Sequence, residues 1–593
     1  MKLEALTEKP KTEGANADRA VAEARVDRKD GLRETVESIV IAFVLAFLFR
    51  TFEAEAFVIP TGSMAPTLMG RHKDLDCPTC GYRYQVNASD EIDDATGQPN
   101  YRVVADGIHR AQHVPVELAS TTCPVCRFTT AVSRQSGATR SYPSYNGDRI
   151  LAGKFPYQLG EPARWDVVVF KYPREAKVNY IKRLVGLPSE TLRIHHGDIF
   201  TRPRGDREFA IERKPPDKIR AMMQVVYDND YVVDRMIERG WPPRWRQLPA
   251  PSSADSNAWE SPDGGRSFEI SGRLASEAWL RYQHIVPSFE DWRAIRKGAL
   301  PADYPRRPQL ITDFCHYNTN QLSGLEPNTE MMGWHWVGDL LLECEIEVRG
   351  DGGEIVLELV EGNRPFTCRI DIASGRAALS IGGVRTFGPH ANTSLRGKGT
   401  FNVAFSNFDD QLLLWVDERL VEFDAPTTHP AVPGTRKPGP ADLAPLGIAS
   451  RGAALRVNHL RVFRDVYYTV GMLSDFDHSR SGISRTLSHE GLVEFLSTSS
   501  AWDAFDHLQP SVPFTLDDDQ FLCLGDNSPR SKDSRFWGPM ANPEYFVRRD
   551  LLIGKALLVY WPHAWETHPS IRVPGTEIRV PFFPQVARMG SIR

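Results

Sequence analysis

The stretch Ala56-Phe-Val-Ile-Pro-Thr-Gly-Ser-Met-Ala-Pro-Thr-Leu68 carries an apolar strand into a Pro-Thr-Gly turn that ends in a serine. Gly62 permits an unusual backbone angle or the close approach of another segment, so the turn can present the Ser63 hydroxyl at the end of the strand. A serine in a glycine turn is common and by itself names no chemistry. Its meaning comes from what lies upstream and downstream.

Upstream, Ile39 to Phe49 reads IVIAFVLAFLF, apolar throughout. Helix-forming residues extend the run to 34–52, roughly 28 Å of helix, enough for a membrane anchor. Arg25, Arg28, Lys29 and Arg33 precede the run and only Arg50 follows closely, which places the N-terminus in the cytoplasm and the rest outside. A buried core helix and a cleavable leader ending at Ala54-Glu-Ala56 are the alternatives. The first thirty residues, rich in Glu, Lys, Ala and Arg, read as a solvated tail.

Downstream, alternation through Val178, Tyr180 and Lys182 puts Lys182 on a strand face with two bulky groups and Arg183 on the other face. A lysine desolvated in this way can lose its proton near neutral pH and act as a general base. Further on, Phe521-Leu-Cys-Leu-Gly-Asp-Asn-Ser-Pro-Arg-Ser-Lys-Asp-Ser-Arg535 is an apolar strand ending in a polar loop.

Together these pieces resemble the bacterial type I signal peptidases. The resemblance rests on Ser63-Met64-x-Pro66-Thr67-Leu68, Tyr145-Asn-Gly-Asp-Arg-Ile150, Lys182-Arg183-x-Val185-Gly186-x-Pro188, and Gly525-Asp526-Asn527 through Ser531-x-Asp533-Ser534-Arg535, in the family's order behind an N-terminal anchor. It implies a serine endopeptidase with Ser63 as nucleophile and Lys182 as general base. Ser531 is implied to orient the lysine, and the Thr61 hydroxyl to complete an oxyanion hole with the Ser63 amide. Tyr180 is implied to pack beside the lysine stem, and Asp526, Asp533 and Arg535 to support the site, the last two in an ion-pair network with Arg183. Catalysis of this type needs no cofactor. The implied substrates are signal-peptide-bearing preproteins, bound extended beside the strand before Ser63 and beside Asp148–Leu151, with small side chains required at the first and third positions before the cut. The implied location is the bacterial inner (cytoplasmic) membrane, single pass. A repressor-type self-cleaving Ser–Lys protease and a membrane-anchored binding protein on an inactive peptidase scaffold are the competing readings.

Two insertions interrupt the pattern. Cys77-Pro-Thr-Cys80 and Cys123-Pro-Val-Cys126 resemble zinc-ribbon knuckles, which implies a structural zinc held by Cys77, Cys80, Cys123 and Cys126; a pair of disulfides is the alternative. Residues 81–122 make an unusually long separation between the pairs. Between Gly197 and Thr515 comes a period-two rhythm: Leu340 to Val348, Ile355 to Leu359, Phe366 to Ile372, Phe401 to Phe405 and Leu412 to Val416, punctuated by turns such as Gly350-Asp-Gly-Gly353. This predicts an antiparallel β-sandwich, and Asn407 to Asp417 resembles laminin-G or concanavalin-like sandwiches. Its partner is open, a carbohydrate stacked on Trp334 and Trp336 or a protein. Cys315, Cys344, Cys368 and Cys523, scattered through apolar surroundings, read as buried small hydrophobes, with a disulfide between Cys344 and Cys368, in neighbouring predicted strands, as the alternative.

The expected organisation is therefore mainly β: a tail over 1–33, a transmembrane anchor over 34–52, and a peptidase part over 53–200 containing the ribbon at 73–130. A sandwich over 201–467, a second peptidase part over 468–570 and a C-terminal tail over 571–593 complete it. Hydrophobic content of 41%, charged content of 25% and a net charge of -5 over 593 residues are those of folded material without the basic face that nucleic acid requires. Eight cysteines are too few for a disulfide scaffold.

Overall fold

A computed structural model describes residues 33–44, 54–93, 96–105, 111–140, 142–247, 258–298, 306–327, 329–431, 436–470, 489–502, 512–537, 544–562, 570–572, 574, 579–581 and 586–593. The architecture is mainly β, as expected. Residues 33–44 are helical, with Ile39, Ile41 and Phe43 half or more exposed. Among the described residues no helix is long and apolar enough to cross a membrane. The remainder of the expected anchor, 45–52, and the tail before residue 33 lie outside the described residues.

The expected peptidase part is built on an antiparallel sheet in the order Ala54–Val58, Arg149–Gly153, Leu552–Trp561, Val167–Tyr172, Glu175–Gly186, Gln520–Leu524, Val547–Arg548. The run Val-Val-Val-Phe at 167–170 is buried on both faces, as an interior strand should be. Register sets the chemistry. Lys182 lies opposite Val168, and Arg183 is paired with Val167 on one side and Leu524 on the other, so the loop that follows Leu524 starts beside both basic residues. Gly590–Ser591 pairs with Leu552–Trp561, which makes the end of the expected 571–593 tail part of this sheet. A second sheet, Ala210–Ile211, Asp198–Pro203, Glu190–His195, Pro513–Thr515, completes the peptidase part. Its outer strand at 210–211 lies beyond the expected boundary at 200, and Tyr468 packs with its core residues Leu192, Ile194 and Phe514.

Between these strands the chain forms two larger antiparallel sheets, one centred on Leu340–Val348, Gly399–Phe408 and Ala454–Arg464, the other on Glu354–Glu361, Arg364–Asp371 and Leu446–Arg451. Leu342, Cys344 and Ile346 from the first and Leu357, Cys368 and Ile370 from the second share one hydrophobic core. This is the predicted sandwich. Cys315, Cys344, Cys368 and Cys523 are buried and free, as read; Cys344 and Cys368 lie on strands of different sheets that do not pair, so the alternative disulfide is not formed. Trp334 is buried with Leu310, Leu492, Leu496 and Trp502, and Trp336 packs against that cluster. Trp334 is thus a core aromatic, and Trp336 is half-buried at the edge of the same cluster.

The cysteine module is two hairpins, His72–Asp76 with Arg83–Asn87 and Ser120–Thr122 with Thr129–Ala131. Leu75, Tyr84, Val86 and Val125 belong to the same core cluster as the sandwich. Trp292 donates its indole N–H to the Cys126 carbonyl at 2.9 Å, and Arg244 donates to Val125 O at 3.0 Å. The two insertions thus pack as one body.

Candidate active site

The Pro-Thr-Gly turn becomes a single 3₁₀ turn, Gly62–Met64, with all three residues buried. Lys182, 4% exposed, reaches it from the strand Glu175–Gly186 and donates from Nζ to Ser63 Oγ at 2.7 Å and to the Ile181 carbonyl at 3.0 Å. Burial pushes the lysine down to about 8 against the pull of Asp533 and Asp526. The Lys182 ammonium group also sits 5.3 Å from the Tyr180 ring centroid, and Tyr180 is itself stacked on Tyr172 at 4.7 Å. The arrangement is a hydroxyl bonded to an amine whose proton is loosely held, which is what nucleophile activation requires.

Behind the site, Arg183 is fully buried and pairs with Asp526 through Nε to Oδ1 at 2.7 Å and Nη2 to Oδ2 at 2.6 Å. Thr67 adds a hydrogen bond to Asp526 Oδ2 at 2.6 Å, tying the segment after Ser63 to the same carboxylate. Asp533 and Arg535 form their own bidentate pair, 2.8 and 2.6 Å, and Asp533 Oδ2 also accepts from the Gly525 amide at 3.0 Å. The expected single network with Arg183 is therefore corrected to two separate pairs, because the two arginines enter the loop from opposite ends.

Ser531 is buried against Gly525, where an added Cβ would lie 2.2 Å from Ser531 Oγ and 2.4 Å from the Ser63 carbonyl. Among the described residues its hydroxyl has no hydrogen-bond partner, so it is close to the nucleophile turn without being bonded to Lys182. Thr61 is exposed at the start of the turn and its side chain makes no capping bond. Arg149–Gly153 is paired on both sides, so the expected substrate path beside Asp148–Leu151 is not a free edge; the open edge of the sheet at this end is that of Ala54–Val58.

Sequence reading missed two contributors from the far insertion. Asn318 and Asn527 exchange amide hydrogen bonds at 2.6 and 2.8 Å, and Asn527 Nδ2 also donates to the Gly62 carbonyl at 3.0 Å. The Tyr317 ring fills the space beside Gly62, where an added Cβ would come within 2.2 Å of it.

In the cysteine module the four Sγ atoms lie within 4.8 Å of one another, with Cys77–Cys126 at 3.5 Å and Cys80–Cys123 at 3.6 Å. All four are free of disulfides. The amides of Gly81 and Arg127 close each knuckle onto the Cys77 and Cys123 carbonyls.

The family described as "Signal peptidase, peptidase S26" matches residues 118–208 and 482–561. Lys182 and Ser531 fall inside that match. Signal peptidase I of Pseudomonas aeruginosa is 48% identical over 59 residues, 8% of this chain and 21% of that protein. Signal peptidase I P of Bacillus subtilis subsp. natto is 34% identical over 71 residues, 12% of this chain and 38% of its own length. The chain thus spans about a fifth of the length of the first curated relative it matches. Ser63 lies outside the matched segments of the signal peptidase family, and its place in the site rests on the bond to Lys182. Among solved structures, a carbohydrate binding module, CBM66, from Bacillus subtilis superposes with a TM-score of 0.21 at 10% identity, covering 37% of this chain and 95% of that one.

Proposed function

We propose that the chain is a type I signal peptidase, cutting preproteins with Ser63 as nucleophile and Lys182 as general base. The observation that carries the reading is the 2.7 Å bond between a buried lysine amine and the serine hydroxyl. With its proton lost, Lys182 accepts the Ser63 proton along this line while Oγ attacks the scissile carbonyl. An ester forms, the new amine leaves with the proton, and a water activated by the same lysine hydrolyses the ester. The Ser63 amide and Thr61 hydroxyl are the proposed oxyanion donors. Ser531, unpartnered at rest, is the hydroxyl available to hold the amine once Ser63 has reacted. Tyr180, Arg183, Asp526, Asp533 and Arg535 hold these groups in place.

The substrate pairs as an added strand on the open edge of Ala54–Val58. The apolar helix at 33–44 is the start of the proposed anchor to the lipid bilayer of the inner membrane, with the N-terminus cytoplasmic. The cysteine module holds a structural zinc: tetrahedral thiolate ligation places sulfur atoms about 3.8 Å apart, close to the 3.5 and 3.6 Å found. Four thiolates leave no coordination position open, so the metal supplies rigidity and takes no part in the reaction.

The test is cleavage of a preprotein in detergent by the intact chain, Ser63→Ala and Lys182→Ala. Cutting after an Ala-x-Ala site that both substitutions abolish sustains the reading. An inert intact chain refutes it and favours a binding protein on an inactive scaffold, with the sandwich as its working part.

A further inference from the structure

We infer that the large insertion supplies a positioning residue to the nucleophile turn: Asn318, acting through Asn527, sets the backbone of Gly62 and Ser63. The inference rests on the peptidase reading above and adds a role for a segment outside that fold.

The amide of Asn527 is fully committed. Its Nδ2 donates to the Gly62 carbonyl at 3.0 Å and to Asn318 Oδ1 at 2.8 Å, its Oδ1 accepts from Asn318 Nδ2 at 2.6 Å, and its backbone N–H donates to the Ser63 carbonyl at 3.1 Å. Asn527 is 1% and Asn318 4% exposed, so water cannot replace either partner. An asparagine amide can turn over and offer oxygen where nitrogen stood. The reciprocal pair with Asn318 couples the two amides so that Asn527 cannot turn alone, and the Gly62 carbonyl, which only accepts, selects the orientation with Nδ2 facing it. Both carbonyls of the Gly62–Ser63 segment are thus held by one residue, that of Gly62 through a side-chain amide that Asn318 braces and that of Ser63 through the Asn527 backbone N–H.

Asn318 is itself anchored. It sits in the 3₁₀ turn His316–Asn318, and the Tyr317 ring packs directly on Gly62. The next residue, Thr319, exchanges a hydroxyl bond with Thr121 at 2.9 Å and accepts from the Thr122 amide at 3.0 Å. The segment therefore bridges the cysteine module and the nucleophile turn. Nucleophilic catalysis is sensitive to shifts of this kind, since a displacement of about 1 Å can cost roughly 100-fold in rate. Asn318 touches neither substrate nor reacting atoms and acts only by holding the turn.

The experiment compares the full chain with Asn318→Ala, Asn527→Ala and the double variant, measuring kcat and KM on a preprotein and amide hydrogen exchange over 57–70. Asn318→Ala is expected to lower kcat roughly 10- to 100-fold with KM little changed, to speed exchange at the Gly62–Ala65 turn, and to be non-additive with Asn527→Ala. If the intact chain cuts preprotein while Asn318→Ala matches it in kcat and in exchange, the positioning role is wrong and the peptidase reading survives. Additive losses with unaltered exchange also overturn it. An inert intact chain overturns both, because no reaction is then served by the turn.

Discussion

Arg183 and Asp526 face each other with no solvent on either side chain, joined by two hydrogen bonds of 2.7 and 2.6 Å. The strand that presents Lys182 on one face thus uses its very next residue, on the other face, to grip the loop carrying Asn527 and Ser531. Positioning of the base and of its surroundings is one geometric event.

Removing one partner of such a pair strands a buried charge and typically costs about 3–5 kcal/mol. Asp526→Ala is therefore expected to unfold at markedly lower denaturant concentration than the native chain. Replacing both partners with apolar residues, as in Arg183→Met with Asp526→Leu, is expected to cost less than Asp526→Ala alone. Urea titrations of the single and double variants would settle it, and a double variant weaker than the single one would contradict the buried-pair account.

The pH dependence follows from Lys182. Burial lowers it from the usual 10.5 to about 8, and only the neutral amine can take a proton. Below that value the base is protonated, so kcat/KM on a preprotein should fall as pH drops through about 8 and level off above it. A rate profile with its acidic limb near 10.5 would mean the lysine is not desolvated in solution.

How far these features could be read from sequence differs by residue. Lys182 and Arg183 were legible because strand alternation puts successive residues on opposite faces, and Leu340 to Val348 because one buried face imposes a period of two. Asn318 was not. It lies in a short polar turn without periodicity, and its partner Asn527 is 209 positions away, so only the fold brings the two amides together. The partner choices of Arg183 and Arg535 were illegible for a related reason: the loop offers two aspartates, and the geometry of chain entry decides which arginine meets which. The sulfur cluster was readable despite its long spacing, since each knuckle is a local turn that presents its two sulfurs whatever the length of chain between the pairs.

Ser531 separates a stabilising role from a catalytic one. Its hydroxyl is buried without a partner among the described residues, so Ser531→Ala removes an unsatisfied polar group and should leave the melting temperature unchanged or slightly higher. Preprotein cleavage should nevertheless fall roughly 10-fold or more if the hydroxyl holds the Lys182 amine during turnover. Equal losses of stability and activity would assign Ser531 to structure alone.

Metal content is checked directly by elemental analysis of the purified chain, with one zinc per molecule expected. Cys123→Ser should lose it. Because Cys77, Cys123 and Cys126 share a core cluster with the sandwich, stripping the metal with a chelator should lower the melting temperature of the whole inserted body, not of the knuckles alone. Retention of the native melting temperature after complete removal would exclude a structural metal.

The junction between the peptidase part and the sandwich holds a buried ionic cluster with an excess of acid. Lys214 bonds Asp409 at 2.6 Å and Asp465 at 2.7 Å, and Arg436 bonds Asp198 and, at 2.9 Å, Asp410. Asp339 and Glu361 add two further carboxyls beside them. Burial pushes Glu361 up to about 8 and Asp198 to about 7. A carboxyl whose folded value is raised binds more protons folded than unfolded, so its contribution to stability is lost as pH rises through that value. The melting temperature should therefore rise when pH is lowered from about 8.5 to 6.5. Below that, buried His196 and His316, each held near 4 by burial, oppose further gain because the unfolded chain takes up their protons first. Glu361→Gln isolates the effect: the glutamine carbonyl can still accept from Asn407 Nδ2, now 2.8 Å from Glu361 Oε2, without a charge. This variant should match the native chain at pH 6.5 and exceed it in stability at pH 8.5. A variant less stable than the native chain at pH 8.5 would show that the Glu361 charge is compensated there, and that the cluster does not govern the alkaline loss.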